Sequence, residues 1–181
     1  MTREKFIKKW LGNRDYQYTE QNRDLMRDDL DEVINQALRQ QMLVAGFPGT
    51  GKSYYTNSES GYMPQGFATD SDSSKFDKSD FPRNYIEHIK EKISEGYARI
   101  FISSHKEVRD ALVENGLEFT LVYPKKELKE EYLKRYKERG SPEGFINLIS
   151  NNWDLWIDEL ENQKGCNHIR LESGKFIDSV C

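Results

Sequence analysis

Met42-Leu43-Val44-Ala45-Gly46-Phe47-Pro48-Gly49-Thr50-Gly51-Lys52-Ser53 is the stretch that decides the fold of this chain. Its first four residues form a short apolar run, which is typical of a buried parallel strand. Its last eight fit the spacing G-x-x-x-x-G-K-S, whose glycines let backbone N–H groups turn inward onto a phosphate. The positive end of the following helix adds to that attraction. The stretch therefore predicts a phosphate-binding loop (P-loop) for a nucleoside triphosphate.

The chemistry of this loop assigns expected roles to its residues. Lys52 is expected to reach the outer phosphates, and the Ser53 hydroxyl is expected to hold a magnesium ion. ATP and Mg²⁺ are therefore the expected cofactors. A plain glycine-rich turn is the alternative, but it does not require the strand, the lysine and the serine together. The residues expected to contact the nucleotide are Gly46, Phe47, Pro48, Gly49, Thr50, Gly51, Lys52, Ser53 and Tyr54.

Length and composition restrict the class of protein. The chain has 181 residues, enough for one domain with a modest extension, and it is 36% hydrophobic and 32% charged. This balance is typical of a soluble globular protein. No run approaches the roughly 18 apolar residues of a membrane span, and Met1–Lys5 lacks the apolar core of a signal peptide, so we expect a cytoplasmic protein. The net charge of −4 argues against a dedicated duplex-binding protein.

The pattern of apolar residues divides the chain into two parts. Residues 1–40 show helical spacing and predict a helical N-terminal extension, whereas residues 41–181 predict the P-loop domain. In the second part, strands at 42–45, 67–69, 98–103, 119–123 and 168–171 alternate with helices. This alternation predicts an α/β fold with three α/β/α layers around a mainly parallel five-stranded sheet. Ligands of such sheets bind beyond the carboxyl ends of the strands.

Two carboxylates follow the second predicted strand. Asp70 and Asp72 are candidates for accepting the proton of an acceptor hydroxyl, and Asp70 is also a candidate magnesium ligand beside Ser53. The sequence does not decide which of the two is the base. The alternative is a polar turn, since Asp and Ser favour turns through side-chain hydrogen bonds to the backbone.

Further candidates follow the third strand and lie in a charged helix. His105 and Arg109 are candidate substrate contacts, with a helix N-cap and a surface arginine as the respective alternatives. Arg135 and Arg139 are four residues apart, hence on one helix face, and they precede Gly140-Ser141-Pro142, a candidate hinge. We expect this pair to close over the transferring phosphate as a lid and to stabilise its charge.

These elements together resemble the small P-loop kinases of the nucleotide-kinase and polynucleotide-kinase-like group, and also small bacteriophage-encoded P-loop kinases or ATPases. The resemblance covers about residues 41–172 and is carried by Gly46–Ser53, Asp70–Phe76, Ser103–His105 with Arg109, Tyr123-Pro124, and Tyr132, Arg135, Tyr136 and Arg139. It implies a core of five parallel strands, ATP and magnesium, and transfer of the γ-phosphoryl group to a hydroxyl or a phosphate. His105 departs from the pattern, because these kinases often have Thr or Asn there.

The sequence thus predicts an ATP-dependent phosphotransferase whose acceptor is a nucleotide or a nucleic acid. Two alternatives remain open. The first is an acceptor-independent P-loop ATPase, which is disfavoured because the third strand ends in Ser103 and not in an acidic residue. The second is a non-catalytic nucleotide-binding module whose residues 1–40 contact a protein partner. The oligomeric state is left open.

Overall fold

The computed structural model describes residues 41–56 and 68–180. Its strands are β1 (Met42–Gly46), β2 (Ala68–Asp70), β3 (Arg99–Ser103), β4 (Phe119–Pro124) and β5 (Asn167–Leu171). Its α-helices are α1 (Lys52–Thr56), α2 (Arg83–Ser94), α3 (Lys106–Glu114), α4 (Lys129–Glu138) and α5 (Glu143–Glu161), with 3₁₀ turns at Ser73–Lys75, Lys126–Leu128 and Ile177–Ser179. The helical extension predicted for residues 1–40 lies outside the described residues.

The five described strands form one sheet in the order β2-β3-β1-β4-β5. Every neighbouring pair is parallel. The predicted α/β class and the five-stranded parallel sheet are therefore confirmed, and the arrangement is compatible with three α/β/α layers. The strand order reverses at β1, because β2 and β3 lie on one side of it and β4 and β5 on the other. A crevice outside the carboxyl end of β1 is consequently where a ligand is expected in such a sheet.

Alternate side chains of the strands enter two apolar clusters. The larger cluster holds Ala45, Ile102 and Leu121 together with buried residues of α2, α3, α4 and α5. The smaller cluster holds Val44, Phe101 and Val122, which pack with Tyr55 of α1 and Ile177. This alternation follows from the two-residue period of a strand that is buried on both faces. Apolar packing on both faces therefore holds the sheet in place, and with it the strand ends that carry the polar residues.

Two helices begin without a side-chain cap. Helix α2 begins at Arg83, with Pro82 at its N-cap position. Helix α4 begins at Lys129, directly after the 3₁₀ turn Lys126–Leu128, and Leu128 occupies its N-cap position. The Trp153 indole donates to the Lys126 carbonyl at 2.8 Å, which ties this turn to α5. No helix of the described residues is long and apolar enough to cross a membrane.

Candidate active-site cleft

The glycine-rich loop of residues 46–53 continues β1 and is held from inside the protein. The Phe47 N–H donates to the Val122 carbonyl of β4 at 2.9 Å, and the Thr50 hydroxyl donates to the Phe47 carbonyl at 2.8 Å. The Thr50 carbonyl in turn accepts from the Ile177 N–H at 2.9 Å. Phe47 and Thr50 are buried, with 2% and 0% exposure. These two residues therefore shape the loop from within, and neither lines the cleft.

Two glycines of the loop are required by its geometry. Gly49 and Gly51 have φ values of 81° and 98°, which side chains other than glycine rarely adopt. A Cβ on Gly49 would lie 2.7 Å from Cε1 of Tyr136, whose hydroxyl donates to the Pro48 carbonyl at 2.7 Å. The loop is thus pressed against α4, with no space for a side chain at this contact.

Lys52 lies at the start of α1, directly behind the loop. Its Nζ donates to the Gly46 carbonyl at 2.6 Å and lies 3.4 Å from the Phe47 carbonyl. Burial lowers the pKa of Lys52 to about 8, against the opposing effect of Asp70, while Arg139 lowers it further. A weakly solvated ammonium group that lines the cleft suits a polyanion, which would stabilise its charged form.

A cleft of about 860 Å³ opens beside the loop. It brings together residues from the ends of β1, β2 and β3, from α4 and from the C-terminal segment, in agreement with the position where the strand order reverses. Its lining comprises Gly46, Pro48, Gly49, Gly51, Lys52, Ser53, Tyr54, Asp70, Ser71, Asp72, Ser73, Ser74, Ser103, Ser104, His105, Arg135, Glu138, Arg139, Phe145 and Phe176.

The two candidate carboxylates line this cleft but have different partners. Asp70 Oδ2 accepts a hydrogen bond of 2.7 Å from the Ser53 hydroxyl. Asp72 Oδ1 accepts from the Ser74 N–H at 2.9 Å and caps the 3₁₀ turn, and this bond lowers the pKa of Asp72. One oxygen of Asp72 therefore forms the side-chain hydrogen bond to the backbone that is typical of a polar turn. Asp70, in contrast, is joined to the residue expected to hold magnesium.

The structure separates His105 from Arg109. His105 lines the cleft, and it occupies the N-cap position of α3 without a side-chain capping bond. Burial lowers the pKa of His105, and the nearby cations Lys78 and Lys52 lower it further, against the opposing effect of Glu107.

Arg109 does not line the cleft, so its predicted substrate contact needs correction. Its side chain turns toward α5, where Nε donates to the Ser104 carbonyl at 2.9 Å and Nη2 lies 3.8 Å from Oε2 of Glu159. A further hydrogen bond joins Nη1 to the side chain of Gln163. Arg109 is only 2% exposed, so it is not a surface arginine either. Nη1 also donates to the Glu159 carbonyl in the last turn of α5, at 3.4 Å.

The structure brings both candidate lid arginines to the cleft. The Arg135 guanidinium lies 4.1 Å from the ring centroid of Phe176 and pairs with Glu131. Arg139 lies 4.8 Å from the ring centroid of Tyr136, and its Nε donates to the Ser141 hydroxyl at 2.7 Å. Both guanidinium groups are thus held beside aromatic rings at the edge of the cleft, and their closing motion stays a prediction.

No sequence motif indicated Phe176 in the cleft lining, or Tyr85 and His88, which bond to the lining residue Ser71. Phe176 is 41% exposed and lies against Gly51, yet it follows β5 in a stretch without a recognisable motif. The buried Tyr85 hydroxyl donates to the Ser71 carbonyl at 2.6 Å and accepts from the Ser103 N–H at 3.1 Å. His88 Nε2 lies 2.9 Å from the Ser71 hydroxyl. Only the helical period of α2 indicated that Tyr85 and His88, three residues apart, share one face.

The donor set of the cleft fits magnesium bound together with phosphates. The described residues contain no group of three or more His, Cys, Asp or Glu that could hold a metal ion by themselves. Magnesium commonly uses one or two protein ligands and completes its shell with phosphate oxygens and water. The Ser53 and Asp70 oxygens, 2.7 Å apart beside Lys52, provide such a partial shell.

Comparisons with known proteins do not assign the chain to a family. No protein-family model, no curated protein and no solved structure matches the chain significantly.

Proposed function

We propose that this chain is an ATP-dependent phosphotransferase with a P-loop NTPase fold, whose acceptor is a nucleotide or a nucleic acid. One observation carries the proposal. The Ser53 hydroxyl of the glycine-rich loop is bonded to the Asp70 carboxylate at the end of β2, and Arg135 and Arg139 line the same cleft. Phosphoryl transfer needs a phosphate cradle, a metal-binding oxygen set, a carboxylate and mobile positive charge, and this cleft carries residues for each.

The donor half of the cleft is the loop with α1 and α4. The loop amides and Lys52 would hold the β- and γ-phosphates, for which Lys52 must release the Gly46 carbonyl. Ser53 and Asp70 would hold the magnesium ion, which supplies positive charge at the phosphate oxygens. The exposed ring of Phe176, next to Gly51, offers a surface on which the nucleotide base can stack.

The hydrogen bonds indicate different roles for the two carboxylates. Asp70 accepts from Ser53, whereas the hydrogen bond that Asp72 makes among the described residues lies within its own turn, and Asp72 lines the cleft. We therefore assign Asp70 to the metal and Asp72 to the acceptor as the general base. The Ser74 N–H lowers the pKa of Asp72, so its carboxylate is ionised at neutral pH, and its position in the cleft lining would let it take the proton as the hydroxyl attacks. Arg135 and Arg139 would stabilise the charge on the transferring group.

The strand next to the loop disfavours simple ATP hydrolysis. β3 pairs directly with β1, and it ends in Ser103, followed by Ser104 and His105. A motor-type ATPase needs an acidic residue at such a position to orient and polarise water. A transfer reaction, in which the acceptor hydroxyl is oriented by a carboxylate of the next strand, requires no such residue.

The test is incubation of the full-length chain with Mg²⁺ and γ-labelled ATP, with and without nucleotide and nucleic-acid acceptors. We expect the label on an acceptor, abolished by Lys52→Ala. Asp72→Asn should remove transfer while leaving ATP affinity unchanged, and Asp70→Asn should also weaken the magnesium dependence. Label released only as inorganic phosphate would refute a phosphotransferase. Full transfer by both Asp variants would refute the assigned base and metal roles.

A further inference from the structure

We propose that the acceptor group is an alcohol hydroxyl of a neutral sugar ring, such as that of a nucleoside or of an unphosphorylated nucleic-acid end, and not a phosphate. This inference rests on the proposed phosphotransferase function. It follows from the way charge and hydroxyl groups are distributed across the cleft.

The cationic side chains of the cleft come from one group of elements. Lys52 begins α1, Arg135 lies in α4 and Arg139 caps its C-terminus; together with the loop these elements form the donor half, which also contains the acidic Glu138. A second part of the lining consists of residues 71–74 and 103–105, which follow β2 and β3. We call these two segments the acceptor wall.

The acceptor wall is rich in hydroxyl groups. Its lining residues are one carboxylate, one imidazole and five serines, namely Asp72, His105, Ser71, Ser73, Ser74, Ser103 and Ser104. Serine hydroxyls both donate and accept hydrogen bonds, as do the hydroxyls of a sugar. A carboxylate among them accepts a hydroxyl proton but repels a phosphate. The wall therefore matches a polyhydroxylated, uncharged ligand.

Recognition of a phosphate would require cations that this wall does not have. Phosphate-binding sites commonly present arginine, whose planar fork bonds two phosphate oxygens at once. Among the described residues, no lysine or arginine lines the acceptor wall. Two arginines lie four residues from this wall in sequence: Arg99 is at the opposite end of β3, and the Arg109 side chain is 3% exposed and donates to the Ser104 carbonyl. Residues 57–67, between α1 and β2, contain no lysine or arginine in their sequence.

The other basic side chains near the acceptor wall do not supply the positive charge that it lacks. Lys78 Nζ donates to the Ser73 carbonyl at 3.2 Å and lies 4.1 Å from the ring centroid of Phe81, outside the cleft lining. Burial lowers the pKa of His105, so its imidazole is neutral at neutral pH and binds a hydroxyl as a dipole. A phosphate on this wall would face Asp72 without an opposing cation on the same wall.

The chemical step balances with this acceptor. The sugar hydroxyl oxygen forms a bond to the γ-phosphorus of ATP, and its proton passes to the Asp72 carboxylate. The bond between the γ-phosphorus and the bridging oxygen breaks, and its electron pair leaves with ADP. The product is a phosphate monoester. Transfer to a phosphate would instead give a phosphoanhydride, so the linkage of the product distinguishes the two acceptor classes.

The experiment uses matched pairs of acceptors with the full-length chain, Mg²⁺ and γ-labelled ATP. Each nucleoside, sugar and 5′-hydroxyl oligonucleotide is compared with its own phosphorylated form, and ³¹P NMR identifies the linkage formed. We expect monoesters on the unphosphorylated members, with at least tenfold lower use of the phosphorylated ones. Anhydride products would overturn the inference while leaving the phosphotransferase function intact. Release of inorganic phosphate alone would instead reject both.

A second measurement does not need the true acceptor. Inorganic phosphate is titrated calorimetrically into the chain saturated with Mg²⁺ and a non-hydrolysable ATP analogue, which occupies the donor half. We expect no binding, because the acceptor wall would be the remaining site in the cleft. Saturable phosphate binding that is lost in His105→Ala or Ser104→Ala would overturn the inference. Arg139→Gln is the matched control, since it removes a cation from the donor half only.

Discussion

Replacing Tyr85 by Phe tests the hydrogen bonds that join the two segments of the acceptor wall. The Tyr85 side chain is fully buried, and its hydroxyl joins the Ser71 carbonyl after β2 to the Ser103 N–H at the end of β3. The variant keeps the aromatic ring, whose centroid lies 4.8 Å from that of Phe76, so packing is retained. It removes only the oxygen that joins two strand ends.

The magnitude follows from the two backbone groups that lose their partner. A buried polar group left unsatisfied costs about 1–3 kcal/mol, so the two groups together should lower the free energy of unfolding by about 2–6 kcal/mol. Burial also raises the pKa of Tyr85, so the hydroxyl stays protonated and its role does not change with pH in the working range. Equilibrium urea unfolding followed by tryptophan fluorescence measures this loss.

Kinetics separate a positioning role from a purely structural one. In Tyr85→Phe, Asp72 and Ser103 lose their fixed relation, so we expect lower kcat and higher acceptor KM, with ATP KM changed less than about twofold. The matched control is Tyr136→Phe, which loses the bond of 2.7 Å to the Pro48 carbonyl and should weaken ATP binding instead. An unfolding free energy within about 0.5 kcal/mol of the parent, or equal effects of both variants on ATP, would refute the reasoning.

Three further predictions concern the donor half. Because the charged form of Lys52 binds phosphate and its pKa in the free chain is about 8, ATP affinity should be full below about pH 7, about halved at pH 8 and about tenfold lower at pH 9 than at pH 7. Lys52→Ala should give a flat calorimetric pH profile, and a flat profile in the parent would contradict the lysine role. Phe176→Ala should weaken ATP binding about tenfold through lost base stacking while leaving tripolyphosphate binding unchanged, and equal losses for both ligands would exclude stacking. Gly49→Ala should destabilise the chain by about 1–3 kcal/mol and abolish ATP binding, because its φ is positive and its Cβ would meet Tyr136. Gly144→Ala, in α5 with nothing within 4 Å, is its control and should be neutral or stabilising in thermal unfolding.

The sequence by itself determined the loop and the strand ends. Each predicted strand boundary lies within one residue of the observed one, because short apolar runs bounded by Gly, Pro and polar residues define buried strands locally. Gly49 and Gly51 have a local cause as well, since their positive φ values belong to the loop itself. The positions of Asp70, Asp72 and His105 in one cleft also follow from sequence, because the carboxyl ends of parallel strands lie at the same sheet edge.

Tertiary structure alone decided which of these residues contact one another. The strand order placed β3 between β1 and β2, and the bond between Ser53 and Asp70 distinguished the two carboxylates. Arg109 turned toward α5 because carbonyl and carboxylate groups distant in sequence accept its protons there. Phe176 reached the cleft because the Ile177 N–H bonds to the loop at Thr50. Such contacts join segments far apart along the chain, so periodicity and local motifs, which report neighbours in sequence, carry no signal for them.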